Sequence, residues 1–363
     1  MSTPSPWVPI IAEELPFRSE LLEEVGKGVM GVMENVKCNY VIYGPIGIGK
    51  TSILLSLMRR LRRRGIKVIY IPCDRVFMPG DLLNLLREAF VKCLEELQAR
   101  TGYITPLMRA QNIEEVLEHA DKAFEHMDRC CIMLLDDVEE LRPLFRYSDV
   151  RITPMEFLDL ITNSSSISLV CSTLSPRLVR SIYGTAMDSF TMKRVMKLTR
   201  DEVFELVNNM AKEMEFSRDA LDEIHKVSEG LPLYVHIIVM EILRRYRGIA
   251  KETVDSEVVS RAVYMSLREP WGLLHRHFEH YHQILLSKAG HGRVLARILV
   301  ELAKGPKGIM ELSNVIGKPY HYIASYVKRL QNIEVIEDTA QGLALKDRLY
   351  REWLNLKFAL TVV

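Results

Sequence analysis

Residues 41–52 read VIYGPIGIGKTS, an apolar run that stops at a glycine, turns through two more and releases a lysine and two hydroxyls into a helical pattern. No other stretch constrains the fold as strongly. The glycines let the main chain curl so that successive N–H groups point inward, and the N-terminus of the following helix adds a positive dipole there. The spacing Gly44-x4-Gly49-Lys50-Thr51, after NYVIY and before a helix, is the Walker A context for a phosphate chain. Lys50 is expected to reach the β- and γ-phosphates and Thr51 to offer its hydroxyl to magnesium. Pro45, Ile46, Gly47, Ile48 and Ser52 complete the expected nucleotide-binding set, with ATP or ADP and Mg2+ as the ligands. The alternative is a glycine turn with a chance lysine, which the full eight-residue match disfavours.

CIMLLDDVEE (131–140) supplies the other half of such a site. Apolar residues followed by Asp136 place a carboxylate at a strand's C-terminal end, where open α/β sheets bind ligands. Asp136 is expected to hold magnesium through water, and Asp137 to activate the attacking water. Glu139 and Glu140 read as a solvated helix start. SLVCSTLSPRLV (169–180) is another strand ending in hydroxyls, and two roles fit it. Ser172 or Thr173 lies beside the γ-phosphate as a sensor, or Thr173 or Ser175 caps the helix ahead of Pro176. Lys50, Asp137 and Thr173 form the expected catalytic set.

Strands over 38–44, 67–73, 131–137 and 166–173, with a weaker one at KRVMKL (193–198), alternate with helices at 18–35, 50–64, 80–101, 111–128, 153–162 and 175–183. Near-continuous apolar strands of this kind belong to a parallel sheet covered by helices. From about Arg200 three amphipathic helices follow with no strand between them. Two more flank EPWG (269–272). Helices at 291–303, 309–317 and 319–333 then precede EVIEDTAQGLALK, read as two strands around Gly342, which is the element order of a winged helix. The expected fold is α/β: a five-stranded parallel sheet of the P-loop kind over 1–198, a helical lid over 199–250, a helical connector over 251–288 and a winged helix over 289–363.

With 48 basic and 47 acidic residues the net charge is +1, which argues against a general basic coat for nucleic acid and leaves room for a local basic patch. No run of about 18 uncharged apolar residues predicts a membrane span. The N-terminus lacks a basic region ahead of an apolar run, and the six cysteines, at Cys38, Cys73, Cys93, Cys130, Cys131 and Cys171, show no metal-ligand spacing. The expectation is a cytoplasmic protein with reduced thiols.

Together these pieces resemble a P-loop ATPase of the AAA+/STAND group, and in particular the archaeal ATPase family with a C-terminal winged helix, related to origin-recognition initiators. LPFRSELLEEV (15–25) is similar to the box preceding the phosphate loop in those proteins, implying that Phe17 and Arg18 contact the adenine; Ser19 stands where that box carries glutamate. SEGLPLYVHIIVMEIL (228–243) resembles the Gly-x-Pro lid motif, here Gly230, Leu231 and Pro232, which implies Pro232 against the adenine. LLDDV matches the group's double aspartate. The chain departs from ring-forming members in two places. No lid arginine accompanies GLPLYVH, and Ser189 precedes Phe190 where an arginine finger is expected. Arg177 or Arg180 would have to serve in trans, and the resemblance therefore implies slow hydrolysis.

On the helix at 319–333, Tyr320, His321, Ser325, Lys328 and Arg329 form the expected DNA face, with Ile323, Val327 and Leu330 toward the core. Glu334, Glu337 and Asp338 on the hairpin oppose phosphates. RRLRRRG (59–65) reads as arginines complementing a helix C-terminus. In HRHFEHYH (275–282), one turn from His275 lands on Glu279, so no histidine pair forms there. The spacing allows His277 and His280 to share a face, and a metal site is disfavoured without cysteine support. Two readings follow: an ATP-dependent switch that repositions a winged helix bound to double-stranded DNA, or a STAND-type signalling or assembly ATPase, homo-oligomeric or bound to a partner protein, whose winged helix contacts protein. A small-molecule kinase is disfavoured because no acceptor-binding motif accompanies the phosphate loop.

Overall fold

A computed structural model describes residues 9, 15, 17–34, 36–148, 150–246, 253–289 and 292–359. The chain divides into one compact unit over Pro9–Met196 and another that takes in Lys197–Val363.

The first unit follows α1 (Ser19–Met30), β1 (Asn39–Tyr43), α2 (Lys50–Arg63), β2 (Lys67–Pro72), α3 (Pro79–Glu96), α4 (Thr101–Arg109), α5 (Ile113–His126), β3 (Cys131–Asp136), α6 (Pro154–Thr162), β4 (Ile167–Thr173), α7 (Pro176–Tyr183) and β5 (Phe190–Arg194). The five strands pair in parallel in the order β2-β3-β4-β1-β5. Every residue of β3 and β4 is buried, as expected for central strands covered on both faces. Strand β4 separates β1 from β3, so the loops leaving β1, β3 and β4 lie side by side at one edge of the sheet. That arrangement creates the crevice.

Two elements differ from the sequence reading. The fifth strand is Phe190–Arg194 rather than 193–198, because an edge strand needs only the five residues in register with Asn39–Tyr43. Its successor Val195 donates one last bond to Tyr43 O, at 2.9 Å. The helix expected over 80–101 stops at Glu96, with Gln98 at φ 55, and a separate helix α4 follows. Pro106 lies inside α4, which its own propensity opposes. Burial of Leu107 and packing of Tyr103 and Ile104 on the core outweigh it.

The second unit contains α8 (Arg200–Met210), α9 (Arg218–Ser228), α10 (Pro232–Tyr246), α11 (Ser256–Arg268), α12 (Leu273–Ala289), α13 (Gly292–Lys304), α14 (Ile309–Ile316), α15 (Tyr320–Asn332), β6 (Ile336–Thr339), β7 (Gly342–Leu345) and α16 (Arg348–Ala359). Strands β6 and β7 pair antiparallel, and Lys307 bridges to Leu343 beside them. Gly342 opens β7 instead of centring the turn. A Cβ there would sit 2.8 Å from the Lys307 carbonyl carbon, so only glycine admits that bridge. An aromatic core of Phe278, Tyr350 and Trp353 joins α12 to α16. No helix among the described residues is long and apolar enough to cross a membrane.

Candidate nucleotide-binding site

The turn between β1 and α2 has the geometry its glycines require. Gly47 stands at φ 84 and Gly49 at φ 100, backbone conformations that L side chains rarely adopt. Gly49 is the N-cap of α2 and provides no side-chain cap, which leaves first-turn N–H groups for an anion. Gly44 N donates to Thr173 O at 3.3 Å, tying the start of the loop to the end of β4. Pro45, Ile46 and Ile48 complete the curl, with Ile48 N donating to Pro45 O at 3.3 Å and the Ile48 side chain in the core. Thr51 and Ser52 occupy the first turn of α2, half-buried. Lys50 is 7% exposed, an unusual place for an ammonium. Its Nζ donates to Gly44 O at 3.0 Å and Pro45 O at 3.4 Å, and lies 4.0 Å from Asp137 Oδ1.

Asp136 ends β3 in a buried position, and both its oxygens are gripped. Tyr70 Oη on β2 donates to Oδ2 at 2.8 Å, and Ser172 Oγ on β4 donates to Oδ1. The same Ser172 oxygen accepts from Asp137 N at 2.7 Å. Asp137 has φ 51, a left-handed conformation that costs a non-glycine residue about 1 kcal/mol. One serine therefore positions both aspartates. Burial and then the Asp136 carboxylate push the Tyr70 hydroxyl up, so it stays protonated and remains a donor.

Thr173 is fully buried as the last residue of β4, paired with Tyr43, and its Oγ1 has no hydrogen-bond partner among the described residues. It does not cap α7. Ser175 does, accepting from Leu178 N at 3.1 Å. Glu139 is not solvated as expected. It lies in a 3-10 turn rather than at a helix start, is 7% exposed, and accepts from Leu174 N at 3.0 Å through Oε1. Glu140 is half-buried. Tyr70, Glu139 and the bridging role of Ser172 are the functional features that sequence reasoning missed.

The residues fit a magnesium–nucleotide group. Backbone N–H donors and a buried ammonium suit the phosphates, while the Asp136 carboxylate and the Thr51 hydroxyl are the hard oxygen ligands magnesium takes. The unsatisfied Thr173 hydroxyl at the mouth of the loop is the kind of buried donor that a ligand completes. Arg18 donates to Met196 O at 2.8 Å and to Phe17 O at 2.9 Å, anchoring the segment ahead of α1 just past β5, with Phe17 in a turn at φ 65. Arg180 pairs with Asp188 at 2.8 Å, whereas Arg177 is exposed. Arg62 on the basic end of α2 donates to Val68 O at 2.9 Å.

In the second unit, Pro232 is the first residue of α10. Gly230 before it stands at φ 72 and accepts through its carbonyl from Leu198 N at 2.8 Å, and the Leu198 oxygen would lie 2.2 Å from an added Cβ. Tyr320, His321, Ser325, Lys328 and Arg329 are all exposed on α15, with Ile323, Val327 and Leu330 buried beneath. Ser325 Oγ donates back to Tyr322 O at 2.7 Å, and Arg329 lies over the Tyr326 ring at 5.4 Å. Glu337 and Asp338 are exposed on the hairpin, Asp338 accepting from Gln331 at 2.9 Å. His277 and His280 do not share a face: His277 is buried and His280 exposed, because the buried stripe of α12 also takes Phe278 and His282. Burial holds His277 and His282 down to about 4.

Residues 29–238 match the model of an ATPase domain found predominantly in Archaea. The whole chain is similar in fold to the Walker-type ATPase of Pyrococcus abyssi, at 14% identity and a TM-score of 0.70 over 96% of this chain and 99% of that one. It is also similar to the Aeropyrum pernix Orc1 protein solved in complex with DNA, at 16% identity and a TM-score of 0.51 over 97% and 96%. No curated protein matches it. The sheet order, the phosphate loop and a family match over more than half of its length lead to one conclusion: the chain belongs to the archaeal ATPase family of P-loop proteins and is an ATPase.

Proposed function

We propose that this ATPase is a slowly hydrolysing Mg-ATP switch whose nucleotide state repositions a winged-helix unit bound to double-stranded DNA. The observation that carries the reading is the convergence of Lys50, Asp136, Asp137, Ser172 and the phosphate loop at one sheet edge. The loop N–H groups and Lys50 bind the phosphates, Thr51 and Asp136 hold magnesium, and Asp137 orients the attacking water. Magnesium supplies charge neutralisation between the phosphates. Thr173 senses the terminal phosphate through its unsatisfied hydroxyl. Slow turnover follows from an aspartate one methylene shorter than the usual base and from Arg180 being occupied by Asp188. Phe17, Arg18 and Pro232 are the adenine contacts, and the protein works in the cytoplasm.

The division we favour is the ATPase core over 1–198, lid over 199–250, connector over 251–288 and winged helix over 289–363. Support for the last comes from the order of α13, α14, α15 and the β6–β7 hairpin, with Lys307 in an isolated antiparallel bridge to Leu343. Exposed Tyr320, His321, Ser325, Lys328 and Arg329 give α15 a basic face for a groove. The exposed Glu337 and Asp338 favour the second reading, in which the wing contacts a partner protein or another copy in a STAND-type assembly.

Retention on duplex DNA across a salt series tests the choice. Each phosphate that a side chain neutralises adds about 0.9 to the log–log salt slope, so Lys328→Ala and Arg329→Ala should each flatten it by that amount. Duplex binding that differs between ATP and ADP supports the switch. Duplex binding absent at low salt, with ATP-dependent growth in mass, overturns it in favour of protein assembly.

A further inference from the structure

The loop between β2 and α3 exposes Phe77 at 73%, the highest value for any large apolar side chain among the described residues. This exposure is built in. Val76 is buried in the core behind it, and the backbone N–H groups of Phe77 and Met78 both donate to Asp81 Oδ2, at 3.2 and 2.8 Å. Asp81 N returns a bond to Met78 O at 3.0 Å, and Pro79 opens the helix. The ring is therefore directed outward by a capped helix start and a buried neighbour. Met78, 51% exposed, accepts from Tyr147 Oη through Sδ at 3.4 Å, and Tyr147 is itself 41% exposed. Tyr147 follows a 3-10 turn at Leu144–Arg146 whose Leu144 is buried.

Arg75 and Arg146 flank these rings in sequence, both exposed, and neither side chain forms an ion pair or hydrogen bond with a described residue. The Asp81 carboxylate, in the first turn of α3, is occupied by the backbone N–H groups of Phe77 and Met78. Asp74, the carboxylate on the loop itself, is exposed next to Arg75.

We propose that Phe77, Met78 and Tyr147, with Arg75 and Arg146, form a docking surface for single-stranded nucleic acid on the ATPase unit. Rigid aromatic faces stack unpaired bases without regard to sequence, and unpaired arginines meet phosphates. A duplex keeps its base faces stacked internally and cannot use Phe77 in this way. Arg75 and Arg146, close to the rings in sequence and without an ion pair among the described residues, supply positive charge that complements a phosphate backbone. All five residues belong to the first unit. They also lie on the segments leaving β2 and β3, the strands that carry Tyr70 and Asp136.

The test is fluorescence anisotropy with a labelled oligothymidine, using the full chain after calorimetry has established ATP binding. Wild type should bind the single strand more tightly than a duplex of equal length. Phe77→Ala should weaken it by about 5- to 150-fold, the value of one stacked base, with melting temperature and ATP affinity unchanged. Arg75→Ala and Arg146→Ala should each flatten the salt slope by about 0.7. Wild type that binds ATP but not oligothymidine overturns the proposal. So does undiminished binding by Phe77→Ala. Self-association abolished by Phe77→Ala, with no oligonucleotide bound, assigns the surface to a second copy instead.

Discussion

Asp136 is 5% exposed and accepts from two neutral hydroxyls, so removing them singly and together measures how the site is built. Tyr70→Phe deletes only the hydroxyl on Oδ2. Each hydrogen bond to a charged group contributes about 1.5–3 kcal/mol, so this change should lower the unfolding free energy by that amount. Ser172→Ala should cost more. It removes the donor to Oδ1 and also the acceptor of Asp137 N, leaving that left-handed residue without its tether. After either substitution the carboxylate keeps one donor; after both it has neither, in a buried place beside Asp137. The double variant should therefore lose about 0.5–3 kcal/mol beyond the sum of the singles. Urea unfolding followed by circular dichroism, without nucleotide, reads all four proteins. Additivity within about 0.5 kcal/mol would mean that the two hydroxyls do not act on a shared group, and the geometry drawn here would be refuted.

Lys50→Ala should abolish ATP binding and leave the fold intact, while Asp137→Asn should retain binding and lose turnover; calorimetry and phosphate release check these, and unchanged hydrolysis by Asp137→Asn removes it as the base. Gly230→Ala places a Cβ 2.2 Å from Leu198 O at φ 72, so the second unit should lose at least about 2 kcal/mol in chemical denaturation, and a neutral result would contradict that packing. His277 and His282 are held down to about 4 against about 6.5 unfolded, so the unfolded chain binds more protons between those values. Stability is full above pH 6.5 and falls as pH drops toward 4, by up to about 3 kcal/mol per histidine. His277→Phe should remove one proton's share of that slope, and an unchanged slope would count against its burial as a neutral ring.

The phosphate loop was legible because its signal is local. Gly47 and Gly49 stand where φ must be positive, and Lys50 follows a strand that is otherwise apolar. Asp136 and Asp137 were legible for a similar reason, as charges at the end of a buried run. Tyr70 was not, because its importance comes from pairing. In the β2–β3 register Tyr70 lies opposite Leu134 and Pro72 opposite Asp136, so the phenol reaches a carboxylate two positions along on the same face. A single sequence carries no register. Glu139 misled for a different reason: charge suggests solvent, but a tight 3-10 turn folds it inward onto Leu174 N. The buried stripe of α12 likewise separated His277 from His280, since spacing alone does not say which face is covered. Helix α4 was not named from the sequence at all; Pro106 lies inside it, and Leu107 is buried there.

Nucleotide-dependent behaviour of any kind requires the curled turn ahead of Lys50 to act as a seat for a magnesium-bound nucleoside triphosphate. Isothermal calorimetry of the full chain with ATP, in magnesium and then in excess chelator, tests that most directly. We expect saturable one-site binding that weakens at least tenfold when magnesium is withdrawn. No heat of binding under either condition, from protein shown to be folded, would contradict that role for the turn.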